Sequence, residues 1–315
     1  MILVTGATGF VGAALLERLA REGVETRACV RRNDVCMPAG IETVLVKDLT
    51  ASTDWSLALT GVGVIVHTAA RVHVMNDVTH DPLTEFRRTN VQGTLNLARQ
   101  AVAAGVRRFV FISSIKVNGE ATELGFPFSA DDMPAPLDPY GVSKMEAEQA
   151  LREIGDQTGL EIVIIRPPLV YGFGVKANFA ALMRVVQRQW VLPLGAVHNK
   201  RSLVALDNLV DLIVTCITHP MAAQNIFLVS DGNDLSTTEL VHALAQAAGV
   251  SARLLSMPVW VLHAVAAMLG KGNMAKRLCG NLQVDISKAQ SLLGWTPPIS
   301  VKEGLLKAVK GIQKK

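Results

Sequence analysis

The stretch Met1-Ile2-Leu3-Val4-Thr5-Gly6-Ala7-Thr8-Gly9-Phe10-Val11-Gly12 runs from a short apolar segment through three glycines into a helical pattern, with Val11, Leu15, Leu16 and Leu19 on one face. The glycine spacing is GxxGxxG. Glycines let such a turn close and let a pyrophosphate approach the backbone, while the free N–H groups and dipole at the helix start favour negative charge. At the first strand-to-helix turn of an α/β chain, this spacing reads as a phosphate cradle for a dinucleotide.

Working outward, further strands are expected over residues 26–30, 43–46, 63–67, 109–112 and 162–165. Each is a nearly continuous apolar run, as in a parallel sheet covered by helices on both faces. Amphipathic stretches separate most of them, the longest over 82–104 with Phe86, Val91, Leu95, Leu97 and Val102. Pro167, Pro168, Gly172 and Gly174 then lead the chain out of the sheet. A helix over 178–189, a strand over 202–205, a helix over 207–218 and a strand over 226–230 take it away and back. Helices over 237–247, 259–269, 286–293 and 301–312 make the remainder mostly helical. The proline-rich loop 117–139 has the length of a lid or binding loop.

Composition narrows the class. In 315 residues, 50% apolar and 18% charged, a disordered chain or a fibrous repeat is excluded, and two coupled units are expected. Cysteines 29, 36, 216 and 279 form no CxxC pair, which excludes a disulfide framework and a thiolate zinc site. A reducing cytoplasm is the expected location, the opening residues reading as a strand and not a leader. The net charge of +4 comes from interleaved charges without aromatics among the basic residues, so nucleic acid is not an expected partner, whereas a small polyanion is. The apolar segment 254–269 holds Pro258 and His263 and falls short of the roughly 20 residues a span requires. It is expected as a buried or half-buried helix, with contact to a membrane surface, and with it a lipid-linked sugar, as the alternative. His67, His73 and His80 lack a ligand spacing, so no metal is expected; His67 is expected to pack beside the cofactor.

The end of the second strand reads Cys29-Val30-Arg31-Arg32-Asn33-Asp34. Guanidinium groups at Arg31 and Arg32 would pair with a ribose 2'-phosphate, which points to NADP(H), while Asp34 keeps NAD(H) open. Asp48 and Leu49 are placed to touch the adenine. Further on, Tyr140 and Lys144 share a helix face at a spacing of four, and an adjacent ammonium favours the phenolate. Ser114, at the carboxyl end of the 109–112 strand, is positioned to hydrogen-bond a carbinol or keto oxygen. Its neighbour Ser113 is expected only to satisfy local backbone.

With TGATGFVG at 5–12, YGVSK at 140–144 and the serine strand in register, the chain resembles the extended short-chain dehydrogenase/reductase family over essentially its whole length. It is similar to nucleotide-sugar enzymes of the UDP-glucose 4-epimerase type through RPPLVYG at 166–172, RSLVALDNLVDLI at 201–213 and VDISKAQSLLGWTP at 284–297. SSIKVNGE at 113–120 with PLDPYGVSK at 136–144 looks like enzymes of O-antigen and capsule clusters that reduce or epimerise C4 of UDP-N-acetyl-hexosamines. The resemblance implies a Rossmann doubly wound sheet over 1–170 and 202–231, a smaller, mostly helical substrate-binding part over 171–201 and 232–315, and a homodimer through two Rossmann helices. It implies a catalytic set of Ser114, Tyr140 and Lys144. Cofactor positions would be Gly6, Gly9, Phe10, Gly12, Asp48, Leu49, Ala69, Asn90 and Pro167. Asn178, Arg201 and Arg277 would hold the diphosphate half of a UDP-sugar. Arg31, Lys116 and Asn118 depart from the epimerase pattern, and the expected reaction is therefore NADP(H)-dependent C4 reduction of a UDP-4-keto-6-deoxy-N-acetyl-hexosamine. Two alternatives are a UDP-hexose or UDP-N-acetyl-hexosamine 4-epimerase retaining NAD, and a non-catalytic dinucleotide sensor.

Overall fold

The computed structural model describes residues 1–72 and 81–313; His73 and His80 lie outside them. Among the described residues nine strands form: β1 (Ile2–Thr5), β2 (Thr26–Val30), β3 (Ile41–Leu45), β4 (Val64–His67), β5 (Arg108–Ile112), β6 (Glu161–Arg166), β7 (Leu169–Tyr171), β8 (Leu203–Ala205) and β9 (Asn225–Leu228). Seven pair in the order β3-β2-β1-β4-β5-β6-β9, all parallel. The chain winds outward from β1 in one direction and returns to β4 on its other side. That reversal opens a crevice at the carboxyl ends of β1 and β4, where open α/β sheets bind ligands.

Helices α1 (Phe10–Arg21), α2 (Ser56–Leu59), α3 (Pro82–Phe86), α4 (Thr94–Ala103) and α5 (Pro139–Thr158) accompany the first six strands. Then follow α6 (Ala177–Gln187), α7 (Leu206–Thr218), α8 (Thr237–Ala248), α9 (Val259–Met268), α10 (Gly272–Cys279), α11 (Ser287–Leu293) and α12 (Val301–Gln313). Both sheet faces are covered. Leu15, Leu16 and Leu19 of α1 join Leu209, Leu212 and Ile213 of α7 against one face. Leu97 and Ala101 of α4 join Ala147 and Leu151 of α5 against the other. A separate apolar cluster gathers Tyr171, Phe179, Met183, Leu244 and Leu305 around α6, α8 and α12.

Three local expectations change. The single helix expected over 82–104 is divided, because Arg87–Gly93 forms a π-helical segment between α3 and α4. The wider turn brings Asn90 inward to the backbone of Arg71 and seats Gly93 against Leu49. The strand expected over 202–205 does not enter the large sheet but pairs with β7, itself unforeseen in so proline-rich a stretch. The loop 117–139 is stapled rather than free: Phe128 N–H donates to the Gln283 carbonyl at 2.9 Å, and the Phe128 carbonyl accepts from Asp285 N–H at 2.9 Å. Helix α9 is half-buried, as expected, resting Val259 and Leu262 on the carboxyl-terminal cluster, with no residue wholly buried.

Candidate active site

The β1–α1 turn closes through Gly9 N–H donating to the Gly6 carbonyl at 2.8 Å. Gly6 sits at φ +70°, a left-handed conformation that glycine adopts at no steric cost. A methyl carbon built on Gly12 would stand 2.2 Å from the Gly6 carbonyl oxygen, so α1 begins as close to the turn as a backbone can. Phe10 opens α1 and packs, half-buried, on the core. Beside the turn lies a cleft of about 580 Å³ lined by Gly6, Gly9, Arg31, Asp48, Leu49 and Ala69 among others. A helix start, a side-chain-free turn and a cationic wall at Arg31 fit the diphosphate and adenosine half of a dinucleotide.

The structure separates the two arginines. Arg31 lines the cleft, whereas the Arg32 guanidinium pairs with the Asp34 carboxylate at 3.0 Å in solvent. Asn90 is buried; its amide exchanges two hydrogen bonds with the Arg71 backbone and donates to Ser143 Oγ at 3.0 Å. Pro167 is buried and accepts from Ile115 N–H at 3.0 Å, which fixes the turn carrying Ser114.

Asp138-Pro139 starts α5 in the manner of a good N-terminus, with proline in the first turn and the Asp138 carboxylate accepting from Gly141 N–H at 2.7 Å. Tyr140 follows at once. Its ring meets Phe86 edge-on at 5.9 Å. One turn later Lys144 is buried, its Nζ donating to the Ile112 carbonyl at 2.8 Å. That bond ties α5 to the end of β5, two residues before Ser114. Ser114 itself caps the short turn Ile115–Val117, its Oγ accepting from Lys116 N–H at 3.3 Å.

Electrostatics here differ from the simple expectation. Burial, and then the Asp138 charge, pushes the Tyr140 phenol up rather than down. Burial likewise brings the Lys144 ammonium down to about 7, partly opposed by Glu148. His67 is not beside the cleft surface but sealed inside the sheet, bonded to Thr5 Oγ1 at 2.6 Å and Thr94 Oγ1 at 3.0 Å; burial and the neighbouring Lys144 hold it near 3. Ser113 does not bond the local backbone as expected. Its buried Oγ has no partner among the described residues.

Arg201 and Arg277 come together: Arg201 Nη1 donates to the Arg277 carbonyl at 2.7 Å, and burial with the neighbouring guanidinium lowers the Arg201 pKa. Asn178 stands apart, exposed in the first turn of α6, and Lys176 rather than Asn178 occupies the helix N-cap. An unanticipated charge chain joins these regions. Arg277 pairs with Glu120 at 3.7 Å, Glu120 with Lys116 at 3.4 Å, and Lys116 with Asp138 beside Tyr140. A buried Arg166–Glu148 pair at 2.6 Å, with Arg166 also donating to Asn118 Oδ1 at 3.0 Å, lies behind the lysine. The Asp-Pro start of α5 could have revealed Asp138; nothing in the local pattern marks the other members.

Residues 2–230 match the sequence model of the NAD dependent epimerase/dehydratase family. The UDP-glucose 4-epimerase of Vibrio cholerae is 50% identical over 304 residues, covering 96% of this chain and 92% of that protein. The N-acetyl-alpha-D-glucosaminyl-diphospho-ditrans,octacis-undecaprenol 4-epimerase of Escherichia coli O157:H7 is 26% identical over 321 residues, 96% of this chain and 92% of that one. Among solved structures, MoeE5 in complex with UDP-glucose and NAD aligns with a TM-score of 0.79 and 26% identity, over 99% of this chain and 98% of that chain.

Proposed function

The chain belongs to the NAD-dependent epimerase/dehydratase family, as an enzyme of the extended short-chain dehydrogenase type, and from that premise we propose that it interconverts the C4 epimers of a UDP-hexose or UDP-N-acetyl-hexosamine, with NAD held throughout. The observation that carries this reading is the 50% identity, nearly end to end, with a UDP-glucose 4-epimerase. It favours the epimerase over the C4 reduction expected from Arg31 and Arg32. The cleft adds to that preference: of the two arginines expected to grip a 2'-phosphate, Arg31 is in its lining and Arg32 is not.

In this proposal the turn of Gly6, Gly9 and Gly12 would hold the diphosphate of NAD, Asp48 and Leu49 would serve its adenine, and Lys144 would hydrogen-bond its ribose. Bound there, the dinucleotide would supply the hydride acceptor and donor that chemistry at C4 requires. Burial holds the unliganded phenol protonated; the positive charge of bound NAD would favour its phenolate, and Tyr140 in that form would take the proton from the C4 hydroxyl as the carbinol is oxidised and give it back when the opposite face of the keto sugar is reduced. The Ser114 hydroxyl donates to the C4 oxygen and fixes its distance from the phenol. Arg201 and Arg277 grip the sugar diphosphate, since paired guanidinium groups suit its oxygens. The assembly proposed is a homodimer built on two Rossmann helices, and the setting is surface-polysaccharide synthesis.

The test is isomerisation of UDP-glucose and UDP-N-acetylglucosamine by the purified chain without added nucleotide, followed by nuclear magnetic resonance of the C4 proton. Conversion to the galacto epimer is expected. Absence of conversion, with stoichiometric consumption of NADPH on a UDP-4-keto sugar, would replace the epimerase by the reductase.

A further inference from the structure

Helix α9 holds ten residues, with no Asp, Glu, Lys or Arg among them and none buried. While Val259 and Leu262 lean on the carboxyl-terminal cluster, the other side leaves Trp260 73%, Val265 46% and Met268 87% exposed. Leu269 and Met274, on the approach to and within α10, extend the same surface. Single exposed apolar side chains need no explanation, but a contiguous group of large ones marks a surface made for a partner.

Charge identifies the partner. From residue 240 to residue 284 the chain contains Arg253, Lys271, Lys276 and Arg277 but no Asp or Glu. Arg277 is paired with Glu120, while Lys271 and Lys276 are exposed and have no acidic partner among the described residues. No described helix is long and apolar enough to cross a membrane, and ten residues rise only about 15 Å, half a hydrocarbon core. An apolar helix with an exposed tryptophan and flanking ammonium groups suits the boundary between headgroups and acyl chains. A second copy of this chain would have to bring acidic groups to the same place.

We propose that the α9–α10 hairpin docks the chain on an anionic phospholipid bilayer, with Trp260 and Met268 entering the headgroup boundary and Lys271 and Lys276 against the lipid phosphates. Arg201 donates to the Arg277 and Gly280 carbonyls at the base of this hairpin, so the docking element is tied to the candidate diphosphate grip. The docking does not depend on which sugar the cleft accepts.

Sedimentation of the full chain with vesicles of phosphatidylcholine, alone or mixed with phosphatidylglycerol, tests it. The chain is expected to pellet with the mixed vesicles and to be released by raised salt. The double variant Trp260→Glu, Met268→Glu should bind at least about tenfold more weakly while keeping its circular dichroism and its turnover of soluble UDP-sugar. Lys271→Gln and Lys276→Gln should each weaken binding to the mixed vesicles by about fivefold. No pelleting, or pelleting unaffected by the double variant, would overturn the proposal. So would a dimer in sedimentation velocity that this variant dissociates, because a second copy would then cover the face.

Discussion

The Lys144 ammonium stands 4.3 Å from the centre of the Phe111 ring, and Phe111 is fully buried in β5. The lysine is thus pressed onto the floor of the sheet, with burial bringing its pKa from 10.5 down to about 7. Since the unfolded chain keeps the higher value, it binds more protons between about pH 7 and 10.5, and this residue makes stability rise with pH across that window. Below about 7 both states are protonated and the cost is constant. Urea unfolding of the unliganded chain from pH 6 to about 10 should therefore show a steeper rise for the parent than for Lys144→Met, the difference reaching up to a few kcal/mol. Parallel profiles would mean that the ammonium is solvated.

Tyr140→Phe keeps the ring against Phe86 and removes the hydroxyl. Epimerisation should fall about 10²–10⁴-fold, the range for a positioned acid–base group, with bound dinucleotide and melting temperature unchanged. The measurement pairs the isomerisation assay with the dinucleotide content of the purified protein. Unaltered turnover would take the phenol out of the chemistry.

The architecture was legible because strands buried on both faces are apolar at most positions, so β1, β2, β4, β5 and β6 stand out as short apolar runs with polar residues at their ends and the glycine turn follows the first. Strand ends were less so: β3 starts at Ile41, where an exposed Glu42 breaks the apolar pattern. The site was legible where function is local. Tyr140, Lys144 and the glycines declare themselves by spacing, but Arg32's engagement by Asp34 and the chain from Arg277 through Glu120 and Lys116 to Asp138 arise from side-chain directions and long-range contacts. Helix α9 illustrates a different gap. A run apolar but for one histidine looks the same whether the fold covers it or leaves it for another surface.

Gly12→Ala tests the closeness of α1 to the turn. Its new methyl would meet the Gly6 carbonyl oxygen at 2.2 Å, against 3.0 Å for the corresponding carbon in Gly9→Ala. Backbone must move in the first case and only adjust in the second. Gly12→Ala should cost about 1–3 kcal/mol in urea unfolding and lower dinucleotide affinity, with Gly9→Ala milder in stability. Titration with NAD alongside the unfolding curves decides it; equal stability losses would mean that the turn gives way as easily at either glycine.

Glu148 and Arg166 form their pair almost wholly out of solvent, at 4% and 2% exposure, and the carboxylate takes hydrogen bonds from Arg166 Nε and Nη2. Replacing that carboxylate by an amide removes the countercharge and one acceptor oxygen from a buried guanidinium between α5 and β6, leaving the amide oxygen and Asn118 Oδ1 as its side-chain acceptors. Glu148→Gln should cost about 3–5 kcal/mol. The exposed pair of Arg87 and Glu146 offers an internal control on the same helix, where Glu146→Gln should cost no more than about 1 kcal/mol. The first substitution should also lower the Lys144 pKa further, because Glu148 is the charge that supports the ammonium. Its pH–stability window should then begin at lower pH than in the parent, a shift that loss of packing alone would not produce.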